Sequence, residues 1–344
     1  MSPRSALALL ALPLALVAAS CGLGYDEGEY FWIRREGADM PVMVRGDLDS
    51  GVLLIFNHGG PGGSAIVQAS EPFFAALERD YAVAYWDQRA SGLAQGDAAP
   101  ESLTLDDFIA DADLLVEALR ARYDPTSIFM IGHSWGGTLA AAYVSDPARQ
   151  AKLDGWVEID GGHDMPQMHA LSLAWVDAHA EAELAAGRDA ALWTEARAWI
   201  AGAPDPATWG LAEYEAFRAY LFAAEPYWYD DAGVDAPIGA LVFASPVSFA
   251  LLSNPANLLP KFNILAFDLS APELMGQIEL PTLLLWGADD GVSPPALGQD
   301  ALDAVATDPA DKRLVVYPRS AHSPHLEETD AVVADLRAFI EAYR

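Results

Sequence analysis

The sequence contains little cysteine and few basic residues. Among its 344 residues Cys21 is the only cysteine, so the chain can form no internal disulfide bond. Lysine and arginine together number 19, against 50 aspartates and glutamates, which gives a formal net charge of −31. A chain so poor in cations lacks the basic patch that binds DNA or RNA, and we expect no nucleic-acid partner. The acidic excess indicates a solvated, negatively charged surface.

The N-terminal apolar run is too short to span a membrane comfortably. Arg4 precedes this run, which extends from Ala6 to Ala19 and ends just before Cys21. This pattern predicts a signal peptide over residues 1–20. Small residues followed by a cysteine resemble a bacterial lipobox, in which Cys21 would be lipidated and would anchor the protein to a membrane. An ordinary secretory signal, giving a periplasmic or secreted protein, is the alternative, and both predict export.

The most informative segment is Gly132-His133-Ser134-Trp135-Gly136-Gly137. A short apolar segment rich in strand formers precedes it, and a run of small residues typical of a packed helix follows. A G-x-S-x-G motif between a strand and a helix predicts a nucleophile elbow, in which a tight turn presents the serine hydroxyl above the sheet edge. Ser134 is therefore the candidate nucleophile.

Apolar strand-like runs alternate with amphipathic helical segments on both sides of a long insertion. The alternation predicts an α/β fold with a mostly parallel central sheet and helices on both faces, formed by residues 30–162 and 277–344. Residues 163–276 are rich in alanine, tryptophan and glutamate and show helical periodicity. We interpret them as an inserted helical cap over the carboxyl edge of the sheet, where ligands bind in such folds.

A serine hydroxyl needs a neighbouring base, and that base needs an orienting acid. In this fold the expected chain order is serine, then acid, then histidine. Asp290 lies in a turn after an apolar strand and is the candidate acid, with Asp289 and Asp160 as alternatives. His322 lies in the loop between the last strand and the last helix and is the candidate base, with His325 in reserve.

The negative charge that develops on an attacked carbonyl requires hydrogen-bond donors. The glycine-rich loop that starts at Asn57 follows an early strand and can present bare backbone N–H groups. We expect one oxyanion donor to be the amide of Gly60, or less favourably that of Gly59, and the other to be the amide of Trp135. Neither a dinucleotide-binding motif nor a P-loop lysine accompanies this loop, and we expect no cofactor and no metal.

Three motifs together resemble the proline iminopeptidase group of α/β-hydrolases. They are His58-Gly59-Gly60-Pro61-Gly62-Gly63, Asp87-Gln88-Arg89-Ala90-Ser91-Gly92 and the serine motif of residues 132–137. The acid loop, Gly287 to Pro294, and the segment Ala321-His322-Ser323 match the same group. The resemblance implies an α/β-hydrolase fold with Ser134, Asp290 and His322 as nucleophile, acid and base. It also implies that the first motif forms the oxyanion hole and that the Asp-Gln-Arg loop supports the site.

In the predicted cap the sequence resembles that group less closely. Proline iminopeptidases anchor the free amine of their substrate with cap glutamates, and their local motifs are not evident here. Acidic and aromatic side chains are nevertheless interleaved in the cap. We take Glu213, Glu225 and Trp228 as candidate substrate contacts, together with His58 beside the glycine-rich loop. A solvated helical face is the alternative interpretation of the acidic residues.

These observations predict a serine hydrolase that acts by acyl transfer on a short peptide or a small molecule. One candidate is an aminopeptidase of the proline iminopeptidase type. Another is an esterase, amidase or lactonase for small hydrophobic acyl groups, which a cap rich in tryptophan would accommodate. A non-catalytic, membrane-tethered binding protein is the remote alternative. Epoxide hydrolases and haloalkane dehalogenases use an aspartate nucleophile, so Ser134 argues against both.

Overall fold

The structure is a computed structural model that describes residues 28–224 and 272–344. Its strands are β1 (Glu29–Arg35), β2 (Ala38–Gly46), β3 (Val52–Asn57), β4 (Ala82–Trp86), β5 (Gln95–Gly96), β6 (Ser127–His133), β7 (Gly155–Ile159), β8 (Thr282–Gly287) and β9 (Lys312–Tyr317). The described helices are α1 (Ala65–Gln68), α2 (Pro72–Leu77), α3 (Leu105–Tyr123), α4 (Trp135–Val144), α5 (Pro147–Gln150), α6 (Met165–Ala185), α7 (Ala190–Gly202), α8 (Leu211–Ala224), α9 (Pro272–Met275), α10 (Pro295–Ala304), α11 (Pro324–Glu327) and α12 (Thr329–Tyr343).

One mixed sheet forms the centre of the molecule, with the strand order β1-β2-β4-β3-β6-β7-β8-β9 and β5 paired with β2. The strands from β4 to β9 along this order are parallel. The pairs β1–β2, β2–β4 and β2–β5 are antiparallel. Parallel strands place their carboxyl ends at one edge of the sheet, so the loops after β3, β6, β7, β8 and β9 converge there. The predicted, mostly parallel sheet is confirmed.

Both faces of the sheet are covered, as the continuous apolar strands predict. All six residues of β3 are buried, and its side chains alternate between two separate cores. Leu53 and Ile55 pack with α3 and α4 on one face. Leu54 and Phe56 pack with α2 and α12 on the other.

The segment Thr104-Leu105-Asp106-Asp107 predicts the start of an amphipathic helix that extends to Arg122, and helix α3 begins there. The hydroxyl of Thr104 accepts a hydrogen bond from the backbone N–H of Asp107 at 3.2 Å, which satisfies one of the free N–H groups of the first turn. The helix ends at Tyr123, one residue beyond the predicted Arg122.

The C-terminal helix differs from the prediction of one helix from Glu327 to Tyr343. The chain instead forms the short helix α11, leaves helical geometry at Glu328 and continues as α12. The Glu328 carboxylate accepts hydrogen bonds from the backbone N–H of Arg319 and the hydroxyl of Ser320. The break therefore lets this side chain brace the loop that carries His322.

From Met165 to Ala224 the described chain forms the helices α6, α7 and α8, within the segment that the sequence predicts to be a helical cap. Helices α6, α7 and α8 share a core of their own, in which Val176, Trp193 and Phe217 are buried. Within the described residues, no helix combines the length and the apolar character needed to cross a membrane. Residues 225–271, which belong to the predicted cap, and the predicted signal peptide lie outside the described residues.

Candidate active site

Ser134 occupies a sharp turn between β6 and α4. Its φ of 54° is in the left-handed region that residues other than glycine seldom adopt. The backbone N–H of Ser134 donates to the carbonyl of Ile159 at 2.9 Å, which ties the turn to the end of β7. Gly136 packs against the end of β3, where a Cβ atom would lie 2.0 Å from the carbonyl oxygen of Asn57. A side chain at this position would therefore push the turn away from the sheet.

The structure brings Ser134, His322 and Asp290 together in one hydrogen-bonded chain. The distance from His322 Nε2 to Ser134 Oγ is 2.9 Å. The distance from His322 Nδ1 to Asp290 Oδ2 is also 2.9 Å. In a neutral imidazole with its proton on Nδ1, this arrangement leaves Nε2 free to accept the serine proton. The nucleophile, base and acid expected from the sequence thus lie within hydrogen-bonding reach of one another.

Asp290 is held more firmly than an aspartate in a surface turn. Its side chain is fully buried, and its Oδ1 accepts hydrogen bonds from the backbone N–H groups of Val292 and Ser293, both at 2.8 Å. Asp289, the first alternative acid, is exposed. Asp160, the second alternative, is buried beside Asp290, and its Oδ1 accepts from the backbone N–H of Gly287. The hydrogen bond to His322 Nδ1 is made by Asp290.

The reserve base, His325, is fully buried away from the serine. Its ring packs at 4.6 Å from the ring of His133 and at 5.4 Å from that of Phe73. Burial, followed by the neighbouring His133 and His322, holds the pKa of His325 well below its usual value. Within the described part of the chain neither ring nitrogen has a hydrogen-bond partner. His325 therefore fills space behind the site.

The loop that carries His322 is fixed from several sides. His133 Nε2 lies 2.8 Å from the carbonyl oxygen of His322 and donates to it. Burial and the nearby His322 lower the pKa of His133 to about 3, so this donor is neutral. The Glu327 carboxylate accepts from the backbone N–H of Ala321. These supports were not predicted from the sequence. The two successive glutamates after the histidine loop, Glu327 and Glu328, are the signal that could have indicated them.

The predicted oxyanion donors line the same cavity as Ser134. Gly60, Pro61, Trp135 and His322 are among its walls, and its volume is about 60 Å³. Trp135 is the first residue of α4, so its backbone N–H has no acceptor within that helix. The glycine-rich loop approaches the serine closely, because a Cβ on Gly59 would lie 3.2 Å from the Cβ of Ser134.

The Asp-Gln-Arg loop joins the oxyanion loop to the elbow. Gln88 Oε1 accepts from the indole N–H of Trp135 at 2.8 Å, and Gln88 Nε2 donates to the carbonyl of His58.

Asp87 accepts from the hydroxyl of Ser64 at 2.7 Å, and burial raises the pKa of Asp87 to about 6. Arg89 is buried in an ion pair with Asp111, with contacts of 2.5 and 2.8 Å.

His58 does not act as the predicted substrate contact. It is fully buried and, in the described structure, is not part of the cavity wall. Its Nδ1 lies 2.8 Å from the carbonyl oxygen of Gly59, and its Nε2 accepts from the backbone N–H of Gln88. Burial lowers the pKa of His58 to about 4, so it is a neutral brace for the loop. The sequence could not show that both ring nitrogens are occupied.

One of the expected cap contacts, Glu213, is not part of the described cavity wall. The Glu213 carboxylate accepts from the backbone N–H of Gly210, so it caps α8. Glu225 and Trp228 lie outside the described residues. The cap residues that line the cavity are Met165, Met168, His169 and Tyr214. Met165, Met168 and His169 lie on neighbouring turns of α6, whereas Tyr214 lies on α8, so their meeting at the cavity depends on how the two helices pack.

His169 is the most polar of these cap residues. It is 2% exposed, and its ring stacks on Trp209 with 5.1 Å between the ring centroids. Burial lowers the pKa of His169 to about 4, so the imidazole is neutral. In the described structure neither ring nitrogen has a hydrogen-bond partner. His163, the first residue of the predicted cap, is buried, and its Nδ1 lies 3.6 Å from Glu158 Oε1.

Three potential metal-ligating side chains meet at this site. Donor atoms of Asp160, Asp290 and His322 all lie within 4.8 Å of one another. Both nitrogens of His322 are already engaged, one with Asp290 and one with Ser134. A metal ligated by His322 would therefore replace a hydrogen bond that links the serine to the acid.

Comparison with known sequences identifies relatives of this chain. A family model described as "Alpha/beta hydrolase family" matches residues 52–336. The Bacillus subtilis protein named "Probable aminopeptidase YbaC" is 35% identical over 100 residues, which cover 29% of this chain and 31% of that protein. A pimeloyl-[acyl-carrier protein] methyl ester esterase of Neisseria meningitidis is 34% identical over 71 residues, or 21% of this chain and 26% of the esterase. The matches thus span less than a third of the length of these two curated relatives.

Solved structures resemble this one over most of its length. The proline iminopeptidase of Mycobacterium smegmatis superimposes with a TM-score of 0.63 at 19% identity, covering 92% of this chain and 98% of that one. The esterase RhEst1 of Rhodococcus sp. ECU1013 gives a TM-score of 0.59 at 17% identity, covering 92% and 100%. At such low identity the likeness shows a shared fold, and the predicted α/β-hydrolase fold is confirmed.

Proposed function

The chain belongs to the alpha/beta hydrolase family, and from that premise we propose that it is a serine hydrolase that acts by acyl transfer. The observation that carries the proposal is the hydrogen-bonded chain from Ser134 through His322 to Asp290, with 2.9 Å at each step. Nucleophile, base and orienting acid in this geometry are the parts that activate a serine hydroxyl.

In the proposed mechanism Ser134 Oγ attacks the carbonyl carbon of the substrate while His322 Nε2 takes the hydroxyl proton. Asp290 remains ionised and stabilises the imidazolium through Nδ1. The backbone N–H groups of Gly60 and Trp135 donate hydrogen bonds to the carbonyl oxygen and stabilise the negative charge that develops on it. The imidazolium then protonates the leaving amine or alcohol, which departs and leaves an acyl group on Ser134. Water, deprotonated by His322, releases this group and restores the serine.

Two substrate classes follow from this chemistry. Aminopeptidase action on short peptides is supported by the resemblance of the loop motifs to proline iminopeptidases and by the aminopeptidase named among the relatives. Hydrolysis of esters with small hydrophobic acyl groups is favoured by a specific observation. The cap side chains that line the described cavity, chiefly Met165 and Met168, are apolar or neutral. Glu213, which could have bound a substrate amine, instead caps its own helix.

A serine-reactive fluorophosphonate probe tests the chemistry. We expect the wild type to be labelled and Ser134→Ala to lose both labelling and turnover with little change in its thermal midpoint. Ser70→Ala is the matched control, because Ser70 is exposed and its hydroxyl donates to the carbonyl of Val67, three residues earlier in the chain. An unlabelled but folded wild type would indicate the non-catalytic binding protein instead. Turnover of proline and alanine nitroanilides, compared with short nitrophenyl esters, then separates peptidase from esterase.

We further propose that the protein is exported and anchored by a lipid on Cys21. The support is the apolar run before this cysteine and the small residues that precede it. When the full chain is expressed in bacteria with labelled palmitate, the wild type should carry the label and partition into detergent. Cys21→Ala should do neither. An unlabelled wild type found in the soluble periplasmic fraction would refute lipidation and leave the secretory alternative.

A further inference from the structure

A second carboxyl group lies directly behind the proposed triad acid. Asp160 follows the end of β7, is fully buried, and lies within hydrogen-bonding reach of the Asp290 side chain. The donor and acceptor atoms of these two residues and of His322 fall within 4.8 Å of one another. The hydrogen bond to His322 Nδ1 is made by Asp290, and Asp160 adjoins that acid.

The hydrogen bonds around this pair do not fit two ionised carboxylates. Asp290 accepts three N–H bonds, from His322, Val292 and Ser293. Asp160 Oδ1 accepts one, from Gly287 at 2.9 Å, while Oδ2 finds no donor among the described residues. Two buried like charges in contact repel strongly, whereas one proton removes the repulsion and gives Oδ2 a role as donor.

We propose that Asp160 is a positioning residue of the catalytic site: it remains a neutral carboxylic acid whose Oδ2–H donates a hydrogen bond to the Asp290 carboxylate. This inference rests on the proposed function, because the positioned group is the proposed triad acid. The pair then carries one negative charge, located on Asp290, where it can stabilise the imidazolium.

The electrostatics of the pocket agree with a neutral Asp160. Burial, and next the charge of Asp290, raise the pKa of Asp160 well above its usual value. Glu327 also raises the pKa of Asp160, whereas the hydrogen bond from Gly287 lowers it. His322 also belongs to this cluster, and its N–H points at Asp290.

The backbone at Asp160 determines which variants are informative. Its φ of 47° is left-handed, a conformation that asparagine tolerates and glycine adopts without strain. Asp160→Asn keeps a neutral donor at the position of Oδ2 and an acceptor for the Gly287 N–H. Asp160→Gly removes the side chain without the backbone strain that alanine would add there. Asp303→Asn, at an exposed position on α10, controls for the loss of one acidic residue.

The experiment measures kcat and the pH dependence of kcat/KM for the full chain with a nitrophenyl ester. We expect Asp160→Asn and Asp303→Asn to keep kcat and the midpoint of the acid limb close to those of the wild type. Asp160→Gly should lose at least about tenfold in kcat, the effect of removing one hydrogen bond to a charged group. Its acid limb should move to higher pH, because an Asp290 that has lost a donor stabilises the imidazolium more strongly.

Other outcomes overturn the inference. A fall of about one unit in the acid-limb midpoint of Asp160→Asn would mean that Asp160 is ionised in the wild type. An equal loss of kcat in Asp160→Asn and Asp160→Gly would show that a neutral donor does not suffice. If Asp160→Gly keeps both the kcat and the acid limb of the wild type, Asp160 does not act through Asp290.

An infrared measurement tests the proton independently of turnover. The difference spectrum between wild type and Asp160→Asn should contain the C=O stretch of one protonated carboxyl at neutral pH. Its absence would refute the inference even if Asp160→Gly failed to fold. A wild type that shows this band but is not labelled by the fluorophosphonate would overturn the proposed function and leave the proton assignment standing.

Discussion

Replacing Asp290 by asparagine is the sharpest test of the proposed triad, because the variant keeps the shape of the side chain and changes its donors. Asp290 Oδ1 accepts from the backbone N–H groups of Val292 and Ser293, so the amide oxygen of an asparagine would occupy that place. Its NH2 group would then face His322 Nδ1, 2.9 Å from the position of Oδ2. Two N–H groups cannot face each other, so the imidazole would carry its proton on Nε2.

A histidine protonated on Nε2 cannot accept the proton of Ser134. The loss in kcat should therefore be large, about 10⁴-fold, the value known for the equivalent change in a serine protease triad. At 1.36 kcal/mol per factor of ten, this loss corresponds to about 5 kcal/mol of transition-state stabilisation. The fold should persist, because the asparagine still accepts the two backbone N–H bonds.

The assay is the turnover of a nitrophenyl ester by Asp290→Asn, with Asp289→Asn as the matched control. Asp289 is the adjacent, exposed aspartate, so its variant should stay within about twofold of the wild type. Retention of more than a tenth of the wild-type kcat by Asp290→Asn would refute the assignment of the acid. If Asp160→Asn then showed the large loss instead, Asp160 would be the acid.

Two further outcomes follow from buried polar groups. His169→Phe should keep the stack on Trp209 and remove two ring nitrogens that have no partner among the described residues, which should raise stability by about 1–3 kcal/mol in urea unfolding. An unchanged or lower stability would show that the nitrogens are already satisfied. Burial raises the pKa of Glu71 from 4.5 to about 8, so the folded state holds this proton more tightly than the unfolded chain. Below pH 4.5 Glu71 makes its full contribution to the free energy of unfolding, and this contribution is lost as the pH rises to about 8. Glu71→Gln should therefore gain stability relative to the wild type by roughly 3–5 kcal/mol between pH 4.5 and 8.5. If urea unfolding gave the same stability difference between Glu71→Gln and the wild type at both pH values, the prediction would be contradicted.

Local chemistry made much of the fold predictable. The residues around Ser134 specify a strand, a strained turn and a helix, because glycines are needed where backbones approach closely and apolar runs form buried strands. The start of α3 follows from Thr104 in the same way, since capping involves only neighbouring residues. The break at Glu328 was missed because it accompanies hydrogen bonds with Arg319 and Ser320, which lie on the other side of the histidine loop.

The sequence by itself determined the class of fold and indicated the candidate serine and the candidate acid and base loops, because each is a pattern of residues close together in the chain. Only the tertiary structure places Asp290 at His322 Nδ1 and places His322, rather than His325, beside Ser134. Asp290 and Asp289 are neighbours of equal chemistry, and only the packing of the loop buries one and exposes the other. His58 likewise supports the loop because Gln88, 30 positions away in the chain, donates its backbone N–H to His58 Nε2. Burial and hydrogen bonding are properties of distant partners, so the choice among like residues is made only when the chain is folded.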